Sequence, residues 1–138
     1  MPTPAEIARR AIEIVDSSGS ADEAMAGLGP HLHPDIEWVN PEDAIEGGTR
    51  RGLTGMRLMF ENFFAGFGAA STTDVEEIEE RGDRALVVSR PQMRGESSGA
   101  DVAGPQVGII FTLADGLITR IEWHYDVDEA RVRFEQGS

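Results

Sequence analysis

Residues 107–126, VGIIFTLADGLITRIEWHYD, decide the fold. Two apolar runs flank Ala114-Asp115-Gly116, the turn chemistry of a tight antiparallel hairpin. The second run ends in Trp123-His124-Tyr125-Asp126 and passes straight into a short charged helix. Side chains alternate faces along a strand, so Thr119, Ile121, Trp123 and Tyr125 are expected on one face. Ile118, Arg120, Glu122, His124 and Asp126 are expected on the other. The first set reads as the inner face of a curved sheet with a pocket at its mouth.

Upstream of the hairpin the pattern is also of strands: Thr72 to Glu80, a turn at Arg81-Gly82-Asp83, then Arg84 to Arg94. A polar Gly/Ser segment from Gly95 to Gly104 follows, expected as a loop and a candidate lid or hairpin tip. Before Thr72 the periods are helical. Thr3-Pro4-Ala5-Glu6 combines a hydroxyl cap, Pro at the first helical position and Glu three residues after the cap. Ile7, Ala8, Ala11, Ile12 and Val15 continue it at helical spacing. Ser20-Ala21-Asp22-Glu23 repeats the signal for a short helix carrying Met25 and Leu28, stopped by Gly29-Pro30.

His33-Pro34-Asp35 reads as a turn. Ile36 to Asn40 reads as a strand with Ile36, Trp38 and Asn40 on one face, ended by Pro41. A short extended piece surrounds Thr49-Arg50-Arg51. Leu53 to Phe67 predicts a third helix, with Met56, Met59, Phe60, Phe63, Phe64 and Phe67 at three- and four-residue spacing. Helices first and a run of antiparallel strands afterwards make an α+β domain.

Composition bounds the function. At 138 residues and 40% hydrophobic, the chain suits one domain over residues 1–138. A formal net charge of −13 opposes binding to nucleic acid or an anionic membrane, because association would begin with repulsion. Every basic residue is Arg, which reads as the coding bias of a GC-rich bacterium. The absence of Cys removes disulfides, thiol nucleophiles and thiolate metal sites. No apolar run has the length of a signal peptide or a membrane span, so a cytoplasmic protein is expected.

The order helix, helix, strand, helix and then long strands, with Asp35-Ile36-Glu37-Trp38 near the first strand and Asp115-Gly116-Leu117-Ile118 in the last turn, resembles the SnoaL-like branch of the nuclear transport factor 2-like superfamily. The resemblance covers roughly Pro4 to Phe134. It implies a cystatin-like, cone-shaped α+β barrel, in which helices close a strongly bent, mostly antiparallel sheet around an apolar cavity. It also implies a homodimer through the outer sheet face and chemistry without a cofactor. Relatives include polyketide cyclases, ketosteroid isomerase, limonene-1,2-epoxide hydrolase and binding domains with no chemistry, so the fold does not select the function.

In the cyclase and epoxide hydrolase relatives an acid lies on the last strand, seven residues after the hairpin Gly. Here that position is Trp123. The Arg-x-Asp pair of the epoxide hydrolase corresponds to Arg90 and Gln92, and its Tyr-x-Asn to Trp38-Val39-Asn40. The resemblance thus leaves donors without acids. Asn40, Arg90 and Gln92 could fix a carbonyl or enolate oxygen, or Arg90 and Gln92 could be an ordinary polar contact on one strand.

Tyr125 is the one phenol able to donate to an oxyanion, or a buried hydroxyl with a backbone partner. Trp38, Phe60, Phe63, Phe64, Phe111 and Trp123 are read as cavity lining or core, with the two Trp as aromatic walls for a ligand.

His31-Leu32-His33 lacks a third ligand, so no metal site is expected. His124 faces away from the cavity unless a bulge flips the strand. Asp126-Val127-Asp128-Glu129 fits the cap of a last helix. Glu42, Asp43 and Glu46 remain acid candidates or a solvated loop.

Two functions follow. One is a SnoaL-like protein that binds an apolar small molecule in its cavity. The other is a cofactor-independent isomerase, cyclase or hydrolase acting on a polyketide-, steroid- or terpenoid-like carbonyl or epoxide, with Arg90, Asn40 and Tyr125 as its catalytic groups.

Overall fold

The helix signals at the N terminus become caps. In the computed structural model, which describes residues 2–40, 48–67, 71–94 and 101–136, Thr3 Oγ1 accepts the Glu6 N–H at 3.2 Å and α1 runs Pro4–Asp16. Ser20 Oγ accepts the Glu23 N–H at 3.2 Å and opens α2, Ala21–Leu28. The Glu23 carboxylate reaches back to the Gly19 N–H at 2.7 Å, so the reciprocal half of the capping box closes one residue before the cap.

A 3-10 turn, Gly29–His31, leads into β1, Leu32–Asn40. The expected turn at His33-Pro34-Asp35 is therefore corrected: it lies inside this strand as an irregular stretch. Pairing with the last strand is made at Leu32 and resumes at Glu37. Pro34 has no N–H to give to a ladder, and the Asp35 N–H turns onto His33 Nδ1 at 3.0 Å. Local bonding absorbs the turn signal without ending the strand.

The chain continues as β2, Gly48–Arg51, and α3, Gly52–Phe67. Gly52 makes the sharp entry to α3 at φ +75°, a backbone state that suits glycine. Then come β3, Ser71–Arg81, β4, Arg84–Arg94, β5, Asp101–Ala103, β6, Val107–Ala114, and β7, Leu117–His124. The last element is α4, Val127–Gln136. Of the expected loop from Gly95 to Gly104, residues 101–103 are a strand instead. Ala103 pairs with Gln92, prolonging the edge of β4 that β6 occupies further down. The rest of that segment, 95–100, lies outside the described residues.

The sheet runs β2-β1-β7-β6-β4-β3, with β5 beside β4. Its pairs are antiparallel except β1 with β7. The sheet is open, with β2 and β3 at its edges, and the architecture is α+β. Asp115 and Gly116 take φ 53° and 79°, the mirror-image turn whose twist matches the strands it joins. Register shifts near Pro34, at Glu76 and at Thr119 break the ladders, and each such bulge adds local bend and twist.

Helices α1, α2 and α3 pack on one face. Ile7, Ala8, Ala11 and Ile12 of α1 join Met56 and Phe60 of α3 and the inward residues Ala85, Val87, Ile109 and Phe111 in one core. On the other face, α4 lays Ala130 and Phe134 over Leu86, Val88 and Ile110. Burial of a side chain such as Phe134, 1% exposed, stabilises by about 1.5–3 kcal/mol. Among the described residues no helix is long and apolar enough to cross a membrane.

Candidate ligand-binding site

The inner face of the sheet and the helices line a half-open cavity of about 130 Å³. From α1 come Ala11, Ile12, Val15 and Asp16; from α2 and α3, Leu28, Met59 and Phe60. The strands give Trp38, Thr73, Pro91 and, on β6 and β7, Ile109, Phe111, Ile121 and Trp123. Alternation explains the last four. Ile109 and Phe111 point to the same side of β6, as Ile121 and Trp123 do on β7.

Trp38 and Trp123 stack with centroids 6.2 Å apart and planes 27° from parallel. Phe60 meets Trp38 edge-on, at 6.1 Å and 73°. The Trp38 Nε1–H donates to Asn40 Oδ1 at 2.8 Å, and the Asn40 amide donates to Met59 Sδ at 3.5 Å. Asn40 thus holds the edge of the aromatic wall rather than lining the cavity.

The structure brings Trp38, Phe60, Phe111 and Trp123 together on the cavity wall; the side chain of Phe63 lies outside the described residues. Arg90 and Gln92 go elsewhere. Pro91 lines the cavity, so its two strand neighbours project to the opposite face of β4. There Arg90 donates to the Gly104 carbonyl at 3.2 Å and pairs with Glu76 at 3.7 Å. Neither Arg90 nor Gln92, expected as oxyanion donors, is among the residues that line the cavity.

Tyr125, expected on the inner face, is 58% exposed just beyond β7. Glu42, Asp43 and Glu46 lie outside the described residues. No group of three His, Cys, Asp or Glu side chains among the described residues could hold a metal ion.

A bulge does alter β7, but not at His124. Thr112 pairs with Arg120 while Leu113 pairs with Ile118, leaving Thr119 as the extra residue. The Thr119 hydroxyl donates to the Thr112 carbonyl at 3.1 Å. Ile118 consequently joins Ile121 in the core, and alternation resumes beyond the bulge. His124 stays on the outer face, 3.3 Å from Glu122.

Two carboxylates escaped the sequence reading. Asp16 is the last residue of α1 and, among the described residues, the one titratable side chain on the cavity wall. It follows Ala8 and Ile12 at four-residue spacing, which is the signal that could have found it. Its Oδ2 accepts the Thr73 N–H at 3.0 Å. Burial pushes the carboxyl above its ordinary value of 3.8, and hydrogen bonds from the Thr73 backbone and side chain oppose that in part.

Glu122, read as facing outward along β7, does so but is only 2% exposed. Arg120 at 2.9 Å, His124 at 3.3 Å and Arg133 of α4 at 3.5 Å surround it. The α4 segment folding back over the sheet turns an outer position into an interior one.

The sequence matches the family model of the SnoaL-like domain over residues 9–121. Similar solved structures include a nuclear transport factor 2-like protein of unknown function from Burkholderia pseudomallei, 20% identical, with TM-score 0.69, the match covering 94% of this chain and 95% of that one. TerC co-crystallised with polyporic acid is 26% identical with TM-score 0.64, over 94% of this chain and 98% of that one. A protein of unknown function with a cystatin-like fold from Xanthomonas campestris is 17% identical with TM-score 0.70, over 89% and 90% of the two chains. No curated protein matches the sequence.

Proposed function

The chain belongs to the SnoaL-like domain family, and we propose that it is a small-molecule-binding protein whose cavity receives an apolar, ring-bearing ligand. The observation that carries this reading is the cavity wall: the Trp38–Trp123 stack faces aliphatic and aromatic side chains from α1, α3 and β6. Largely apolar walls with few polar groups are what ligand cavities present. TerC, whose structure was determined with polyporic acid, supports a small organic occupant.

Binding to the folded state raises stability in proportion to the logarithm of ligand excess. An apolar one-ring probe such as p-xylene at near-saturating concentration is therefore expected to raise Tm by a few degrees. Ala11→Leu, which fills the cavity from α1, is expected to remove that rise. No shift with p-xylene or any comparable apolar probe would sink the reading.

A cofactor-independent isomerase, cyclase or hydrolase is the second reading, and Asp16 is the observation in its favour. A carboxyl in an apolar cavity with its pKa raised by burial suits proton transfer to or from a carbonyl or epoxide substrate. Arg90, Gln92 and Tyr125 are not among the residues that line this cavity. A homodimer belongs with either reading. Because α4 covers the outer face at β4 and β6, the second copy would seat toward β7, β1 and β2. Sedimentation equilibrium tests that placement, and a monomer at micromolar concentration refutes it.

A further inference from the structure

We infer that Asp16, held by Thr73, is a hydrogen-bond-accepting anchor inside the cavity, and that the ligand is a single-ring apolar molecule carrying one hydroxyl. This rests on the small-molecule-binding reading and narrows it.

Size comes first. The cavity measures about 130 Å³, and an apolar cavity of about 150 Å³ accepts benzene. One ring with small substituents fits this space. A fused four-ring skeleton exceeds this space and would project from it.

The distribution of polarity comes second. Asp16 and Thr73 are both on the wall and are joined to each other. Of the other polar atoms of the aromatic wall, Trp38 Nε1 donates to Asn40, while Trp123 Nε1 is buried without a hydrogen-bond partner. An occupant therefore meets a largely apolar wall, on which Asp16 and Thr73 form the polar pair.

The chemistry of that pair comes third. An ionised carboxylate only accepts, and its two oxygens offer about four lone-pair sites. The Thr73 N–H bonds Oδ2 and the Thr73 side chain bonds the carboxylate as well, which together still leave acceptor capacity on the group. Such an anchor selects a ligand that donates, as a phenol or cyclic alcohol does, over an ether or ketone of the same shape. It also disfavours an anionic ligand, which would meet a carboxylate in a chain of net charge −13.

The test is calorimetric titration of the full chain with p-cresol and with p-xylene, which differ by a hydroxyl in place of a methyl. The wild type is expected to bind p-cresol about tenfold more tightly, the margin of one hydrogen bond to a charged group. In Asp16→Leu the two affinities should converge, with p-xylene binding kept or improved. Asp16→Asn, nearly isosteric, should reduce the ratio of the two affinities toward one, and an unchanged ratio would overturn the anchor. Equal affinities in the wild type would overturn the anchor and leave the cavity reading standing. Failure of both probes to bind would overturn both.

Discussion

Trp38 of β1 and Trp123 of β7 stack at 6.2 Å although they are distant in sequence. Parallel pairing of their strands sets Trp38 opposite Ile121, and the next inward residue on β7 is Trp123. Stacked or edge-on aromatic pairs contribute about 0.5–1.5 kcal/mol beyond the area they bury. A double-mutant cycle of Trp38→Leu and Trp123→Leu, followed by urea unfolding, should return a coupling of that order. Strict additivity of the two losses would show that the rings only fill space.

Glu122 ties α4 to the sheet through Arg133 and stands among two guanidinium groups and an imidazole. Removing one member of a buried ionic group usually costs more than the group contributed, because the others lose their partner. Here the Arg120 and Arg133 side chains are 38% and 39% exposed, so part of each reaches water, although the Nε atoms facing Glu122 are buried. Glu122→Gln is accordingly expected to destabilise by about 1–3 kcal/mol. An unfolding free energy within about 0.5 kcal/mol of wild type, the usual surface value, would mean the carboxylate is structurally idle.

How far the site was legible follows from which interactions were local. Caps at Thr3 and Ser20, the Asp126 cap of α4, and the Asp115-Gly116 turn depend on neighbours in sequence, and their residues announce them. Inward alternation of Ile121 and Trp123 is likewise a local period. What failed depended on register or on distant elements. Arg90 was placed in the cavity by correspondence with a relative, and a one-residue difference in parity reverses a strand side chain. Ile118 changed face because Thr119 bulges, which no residue type nearby signals. Glu122 looked solvated until α4 covered it.

Gly108 of β6 lies close beneath Ala130 of α4. A Cβ built there would stand 2.5 Å from the Ala130 Cβ, closer than two carbons can sit. Gly108→Ala must therefore push α4 outward or bend β6, and overpacking of this kind costs about 1–3 kcal/mol. Ala130→Gly removes the opposing methyl at a helix-propensity cost of about 1 kcal/mol. The double variant is thus expected to be more stable than the sum of its single losses allows. Additive thermal losses would show that the contact is not what requires glycine.

The pH dependence of stability should carry a signature of Asp16. Its pKa in the folded protein is raised above the ordinary 3.8 by burial, so between these two values the folded state holds a proton that the unfolded chain has released. Stability from this group is then fully present below the ordinary value and is lost as pH rises through the folded pKa. This is the reverse of a salt-bridged carboxylate. Asp16→Asn has no proton to lose and cannot show the effect. The wild type should therefore be relatively more stable than Asp16→Asn in acid and lose that advantage toward neutral pH, levelling off above the folded pKa. Urea unfolding of both proteins from pH 4 upward measures the difference, in which the remaining carboxylates cancel. A difference that is constant with pH, or that moves in the opposite direction, would mean that the ionised carboxylate is as comfortable in the cavity as in water, with the Thr73 hydrogen bonds outweighing desolvation.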